Sequence, residues 1–197
     1  EYALPALDLA LGRGGDQVVI KKVNTVEYFG GRLQAVEKRN KGKSRIMAHA
    51  MKPQIDQASN VIIMGHKRPD MDCFGASLGV MKLCALREKE PYLIIDNYKD
   101  ALSTVFKEAK ASDEYKFITS EKAKTLADSE SLLIVLDTHR PSMVQCPELL
   151  DVCERIVIID HHRRVEDFIE NPVLAYMESY ASSTCELVSE ILQYMTS

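Results

Sequence analysis

Several classes of protein are excluded by what this sequence lacks. Its 25 basic residues are outnumbered by 29 acidic ones, a formal net charge of −4. No global positive field therefore directs the chain to nucleic acid or an anionic membrane, and any basic pocket has to be argued from individual residues. No run of about 18 apolar residues occurs and no charged-then-apolar leader opens the chain, so these residues are expected neither to span nor to contact a membrane, nor to carry a secretory signal. The cysteines, Cys73, Cys84, Cys146, Cys153 and Cys185, are odd in number and contain no C-x-x-C pair. That favours a reducing compartment without structural zinc, and the cytoplasm is the expected location. Internal repeats and low-complexity tracts are also missing.

At 197 residues and 46% hydrophobic, the chain can bury a full core, about one domain with a small appendage. Tyr2–Leu11 has a short helical pattern, and Gln17–Lys22 and Thr25–Phe29 are strand-like runs around Val23-Asn24, closed by Gly30-Gly31. One hairpin and one helix are marginal in water, so residues 1–31 are expected to be the tail of a domain lying upstream. Glycines at 12, 14 and 15 follow a helix and precede a strand, the reverse of a phosphate-cradling loop, and read as a helix stop and turn. Residues 32–59 carry the charge run Lys38–Arg45 and then Met47, Ala50, Met51, Ile55 and Ala58 at helical spacing. They are expected to form a linker helix, which Pro53 either kinks or opens.

The remainder, residues 60–197, is organised by three apolar runs that each end in acidic and imidazole groups. Val61–Met64 stops in Gly65-His66-Lys67-Arg68-Pro69-Asp70-Met71-Asp72, Ser131–Leu136 in Asp137-Thr138-His139-Arg140-Pro141, and Arg155–Ile159 in Asp160-His161-His162-Arg163-Arg164. Short continuous apolar runs bounded by turn residues suit strands buried on both faces. Further strands at Tyr92–Asp96 and Phe117–Thr119 alternate with helices after Asp72, over Ala101–Ala109 and over Glu121–Ala127. The pattern predicts an α/β fold with a doubly wound, mainly parallel sheet, whose carboxyl edge collects ligand-binding side chains. Gly75 and Gly79, four apart, are expected to bring their helix close to its own sheet. Asn171-Pro172-Val173 breaks the chain, and Ser183-Thr184-Cys185-Glu186 reads as a capping box opening a last helix with Cys185, Val188, Ile191, Leu192 and Met195 on one face.

His66, Asp70 and Asp72 offer one nitrogen and two carboxylates within seven residues. Nitrogen and oxygen donors without a thiolate suit manganese, magnesium or zinc. The same aspartates are equally natural as turn and N-cap residues.

Taken together in this order, Gly65–Asp72, Asp137–Pro141 and Asp160-His161-His162 resemble the motifs of the DHH phosphoesterases. The subgroup most similar is the GdpP-type cyclic-di-AMP phosphodiesterases, since residues 6–31 also resemble the tail of their degenerate GGDEF domain. The resemblance implies a binuclear manganese (Mn2+) site in which His66, Asp70 and Asp137 hold one ion and Asp72, Asp137 and His161 the other, Asp137 bridging. Two divalent ions can activate water at neutral pH and neutralise a phosphodiester during in-line attack. His162 would face the phosphate or protonate the leaving oxygen, with Asp160 orienting an imidazole behind the ligands. Lys67, His139, Arg140, Arg163 and Arg164 are candidates for phosphate contact, Arg140 first because a guanidinium grips two oxygens; each is equally plausible as solvated surface. Arg68 stands where this subgroup would have Asn, and Cys73 where a small residue is usual. A thiol at a helix start invites a redox reading, against which stands inert packing.

The resemblance further implies a cyclic dinucleotide substrate, a later motif supplying the second ion's remaining carboxylate, and a glycine-rich second lobe in cis. The last two do not occur in these 197 residues, so little turnover is expected from this piece. A homodimer and a parent protein anchored to the membrane through upstream segments complete the expectation. A RecJ-like exonuclease, an oligoribonuclease and a family II pyrophosphatase share the ligand set. A non-catalytic nucleotide-binding regulatory domain is the alternative of another kind, which would have no chemical need for all five ligands.

Overall fold

The computed structural model describes residues 3–11, 17–22, 25–30, 33–98 and 100–195. Two compact units are present, Glu1–Lys43 and Ser44–Ser197. The first contains helix α1 (Ala3–Leu11) and the antiparallel pair β1 (Gln17–Lys21) and β2 (Val26–Gly30), in register from Gln17 opposite Gly30 to Lys21 opposite Val26. The glycine loop at 12–16 and the Val23-Asn24 turn lie outside the described residues. Helix α2 (Leu33–Asp56) spans the charge run and includes Pro53 one turn before its end, so Pro53 does not open the helix.

The second unit is a six-stranded sheet with helices on both faces. Its strands are β3 (Val61–Met64), β4 (Pro91–Ile94), β5 (Lys116–Ile118), β6 (Leu132–Leu136), β7 (Arg155–Asp160) and β8 (Leu174–Met177), and its helices α3 (Met71–Ala85), α4 (Asp100–Ala111), α5 (Ser120–Leu126), α6 (Leu149–Val152) and α7 (Thr184–Leu192). All neighbouring strands are parallel, in the order β5-β4-β3-β6-β7-β8. The chain winds outward from β3 to β5 and then returns to the other side for β6, β7 and β8, so the winding reverses between β3 and β6.

Side-chain alternation explains why the runs read as continuously apolar. Val61, Ile63, Leu132, Ile134, Leu136, Val157 and Ile159 point to one core, shared with α2, α3 and α7. Ile62, Met64, Leu133, Val135, Ile156 and Ile158 point to the other, under Ala123 of α5 and Leu149 of α6. With both faces covered, neither parity of position tolerates a polar side chain. Phe74, Phe106 and Phe117 add an aromatic cluster near the β5 edge, with ring centroids 4.9 to 6.3 Å apart.

Two expectations are corrected and one strand is added. Gly75 and Gly79 face α7 rather than the sheet: a Cβ on Gly75 would lie 2.8 Å from Cys185 Sγ, and one on Gly79 2.7 Å from Val188 Cγ1. Small residues are needed there because two helices, not a helix and a strand, approach each other. The capping box is half made. Ser183 Oγ accepts from the Glu186 amide at 3.0 Å, but Glu186 reaches back to the Ser182 amide and hydroxyl instead of Ser183. Beyond the break at Asn171–Val173 lies an unanticipated strand, β8, whose Leu174-Ala175-Tyr176-Met177 sits at the sheet edge with only Tyr176 fully buried, too short and mixed to show a strand period.

Among the described residues, no helix is long and apolar enough to cross a membrane.

Candidate metal centre

The reversal between β3 and β6 splays the outgoing loops apart and opens a crevice at the carboxyl ends of the strands, where open α/β sheets bind ligands. His66 leaves β3, Asp137 leaves β6, and His161 and His162 come directly after β7. Asp137 adopts φ 59°, and its amide donates to the Ile159 carbonyl at 3.0 Å. A left-handed conformation is uncommon for a residue with a side chain, though Asp tolerates it better than most, and such outliers concentrate at functional sites.

The buried Asp137 carboxylate turns one oxygen to each side. Oδ2 lies 3.5 Å from His66 Nε2, while Oδ1 lies 3.6 Å from His161 Nε2 and 3.8 Å from His162 Nδ1. On the first side, Asp70 Oδ1 is 4.0 Å from His66 Nε2; on the second, Asp72 Oδ2 is 3.6 Å from His161 Nε2. These separations exceed good hydrogen-bond lengths. Asp137 thus stands with His66 on one side and with His161 and His162 on the other, while Asp70 and Asp72 each approach one imidazole, an oxygen-and-nitrogen donor set of the hard kind that suits divalent cations.

Both aspartates accept amides at helix starts. Asp70 is the N-cap of α3, its Oδ1 accepting from the Asp72 and Cys73 amides at 3.0 Å. Asp72 receives the first amides of α7, Thr184 N on Oδ2 and Cys185 N on Oδ1, both at 2.8 Å. The Thr184 hydroxyl donates to Asp137 Oδ1 at 2.9 Å. Thr184 is the residue that sequence reasoning missed, because its only sequence signal is its place at a helix start.

Behind this array, Asp160 is fully buried and joins two histidines: Oδ2 meets His139 Nδ1 at 2.6 Å, and Oδ1 meets His162 Nδ1 at 2.7 Å. Burial pushes the Asp160 carboxyl up, but the hydrogen bonds from His139 and from the His162 amide and ring outweigh it and hold it below the ordinary carboxylate value. Burial lowers His162, yet its bond to Asp160 and the charges of Asp160, Asp137 and Asp72 carry its pKa above the ordinary histidine value.

His139 lines the cavity wall, yet both its ring nitrogens are engaged within the protein. Its Nδ1 is held by Asp160 and its Nε2 accepts from the Val165 amide at 3.3 Å, so no ring nitrogen of this buried side chain remains for a ligand. Arg140 is exposed, its Nε bonded to Asp167 at 3.2 Å, and it lines a cavity of about 520 Å3 together with His66, Asp137, His162 and Arg163. The Lys67 side chain is exposed, and its amide donates to the Met143 carbonyl at 2.8 Å. Cys73 is buried beneath Gly65, where any Cβ would collide with its Sγ, and its thiol is pushed far up by burial and then by the Asp137 charge. That is the packing reading, not the redox one.

A profile of the DHH family, N-terminal domain, matches residues 60–197. The chain belongs to the DHH family. It is 46% identical, over 98% of its length and 30% of the relative's, to the cyclic-di-AMP phosphodiesterase GdpP of Bacillus subtilis (strain 168). It is 48% identical, over the same shares of the two chains, to the protein of that name from Geobacillus thermodenitrificans (strain NG80-2). The chain therefore spans 30% of the length of these relatives. Among solved structures, an exopolyphosphatase-related protein from Bacteroides fragilis superposes with a TM-score of 0.62 at 24% identity, covering 75% of this chain and 43% of the other, which shows the shared fold. DHH phosphoesterases are metal-dependent, and in this DHH domain the donor atoms of Asp137, His161 and His162 all lie within 4.8 Å of one another, as do those of His66, Cys73 and Asp137.

Proposed function

We propose that this chain carries the metal-binding part of a cyclic-di-AMP phosphodiesterase that hydrolyses its substrate to the linear dinucleotide pApA. The observation that carries the reading is the two-sided Asp137 carboxylate, facing His66 at 3.5 Å on one oxygen and His161 at 3.6 Å on the other. The likeness to two relatives named cyclic-di-AMP phosphodiesterases supports this substrate over the nucleic-acid and pyrophosphate substrates of other DHH enzymes. Two Mn2+ ions would be held by His66, Asp70 and Asp137 and by Asp72, Asp137 and His161. When bound they supply Lewis-acid activation of water and of the phosphodiester.

The chain's own residues add orientation and proton transfer. Asp160 holds His162 by Nδ1 and leaves Nε2 as its available nitrogen. His162 is thereby suited to protonate the leaving oxygen, and Arg140 and Arg163 at the cavity wall supply positive charge for a phosphate. His139 stands behind Asp160 as part of its support.

In the same reading, residues 1–31 are the tail of a degenerate GGDEF domain, residues 32–59 a linker, and residues 60–197 a DHH domain completed by a second lobe in cis. The piece works in the cytoplasm, with the parent protein anchored to the membrane by upstream segments. The test is hydrolysis of cyclic-di-AMP by a chain extended through the second lobe. Manganese-dependent release of pApA, abolished by Asp137→Ala, is the expected result. Manganese-independent cleavage, or full activity in Asp137→Ala, would overturn the reading.

A further inference from the structure

The start of α7 touches both carboxylates on the His161 side of the site. The Thr184 amide and the Cys185 amide each take one oxygen of Asp72, and the Thr184 hydroxyl takes Oδ1 of Asp137 at 2.9 Å. Thr184 is fully buried, and its hydroxyl is not needed by the helix, because the N-cap is Ser183, whose Oγ accepts from the Glu186 amide. A hydroxyl has one proton to give, and here it goes to Asp137. The final torsion of an aspartate is soft and broad. A single directed donor is therefore enough to select the rotation in which Oδ2 faces His66 and Oδ1 faces His161.

We infer that Thr184 is a positioning residue, fixing the rotation of the Asp137 carboxylate and, through its amide, the placement of Asp72. The inference rests on the metal-centre reading above and adds what sets the ligands' orientation. Its chemical consequence is asymmetry: one lone pair of Oδ1 is committed to Thr184, so the two oxygens of Asp137 are not equivalent donors.

The experiment is a Mn2+ titration of the chain extended through the second lobe, following free Mn2+ by electron paramagnetic resonance, for the wild type, Thr184→Val and Thr184→Ser. Valine keeps the shape and removes the donor; serine keeps the donor. The expected result is Mn2+ affinity weakened about 10- to 100-fold in Thr184→Val, the usual range for losing a group that orients a ligand, with Thr184→Ser close to wild type. If circular dichroism shows that valine disrupts folding, Thr184→Ala replaces it in the same comparison. Unchanged affinity without the hydroxyl, or equal weakening in Thr184→Ser, would overturn the inference while leaving the metal reading in place. A wild-type chain that binds no Mn2+ would overturn both.

Discussion

Adding the same methyl group at two helical glycines is expected to change stability in opposite directions. Gly42 lies in α2, and a Cβ built there meets nothing within 4 Å. Gly42→Ala should therefore stabilise the helix by about 0.5–1 kcal/mol, the ordinary benefit of removing a flexible glycine. Gly79 lies in α3, and its Cβ would sit 2.7 Å from Val188 Cγ1 and 3.8 Å from Leu192 Cδ1. Carbon atoms prefer about 3.5–4.0 Å, so either the helices part by roughly 1 Å or Val188 leaves its rotamer. Val188 is buried and β-branched, stiff at χ1 within a helix, and overpacking of this kind costs about 1–3 kcal/mol. Set against the same propensity gain, Gly79→Ala should destabilise by about 1 kcal/mol. Urea unfolding followed by far-ultraviolet circular dichroism reads both. Combining Gly79→Ala with Val188→Ala should be less costly than the sum of the two, by about 1 kcal/mol, because the clash disappears with Cγ1. If Gly79→Ala stabilised the chain as much as Gly42→Ala, the assignment of α3–α7 contact as the reason for that glycine would be wrong.

Two further outcomes are expected. Asp160→Ala removes the fully buried acceptor of both His139 Nδ1 and His162 Nδ1 and should cost about 3–5 kcal/mol in urea unfolding; since the folded pKa of Asp160 is depressed, its contribution is present above the ordinary carboxylate value and fades as pH falls through the folded one. A wild-type-like midpoint for Asp160→Ala at neutral pH would contradict the buried hub. Tyr176 is raised to about 12 from 10.0, first by burial, so the stability from its protonated phenol is present below pH 10.0 and is lost as pH rises from there through about 12. In an alkaline titration at 295 nm the late-titrating amplitude, to which Tyr92 also contributes, should fall in Tyr176→Phe, and an unchanged amplitude would refute the assignment.

Much of the fold was legible because it rests on local signals. Ile62-Ile63-Met64, Leu133-Ile134-Val135 and Ile156-Val157-Ile158 are apolar at every position since both faces of the sheet are covered, and that needs no knowledge of neighbours. The convergence of His66, Asp137 and His161 was also legible, because parallel strands deliver the loops at their carboxyl ends to one edge of the sheet. β8 was not: an edge strand half open to solvent carries no strong period. The bonding of His139 was not legible for a different reason. A histidine beside a ligand motif looks the same in sequence whether its ring nitrogens are free for a ligand or one is held by a carboxylate 21 residues later.

The sequence by itself determined the fold class, the order of the strands' polar endings and the chemical kind of the donors, since hydrophobic period and residue type act locally. Tertiary structure alone decided that Gly75 and Gly79 admit α7, that Asp160 joins two histidines, and that Thr184 takes hold of Asp137. Each of these depends on distances between segments far apart in the chain. They were set when α3 and α7 closed on each other and β6 and β7 came into register, because hydrogen bonds and steric contacts act over ångströms in space.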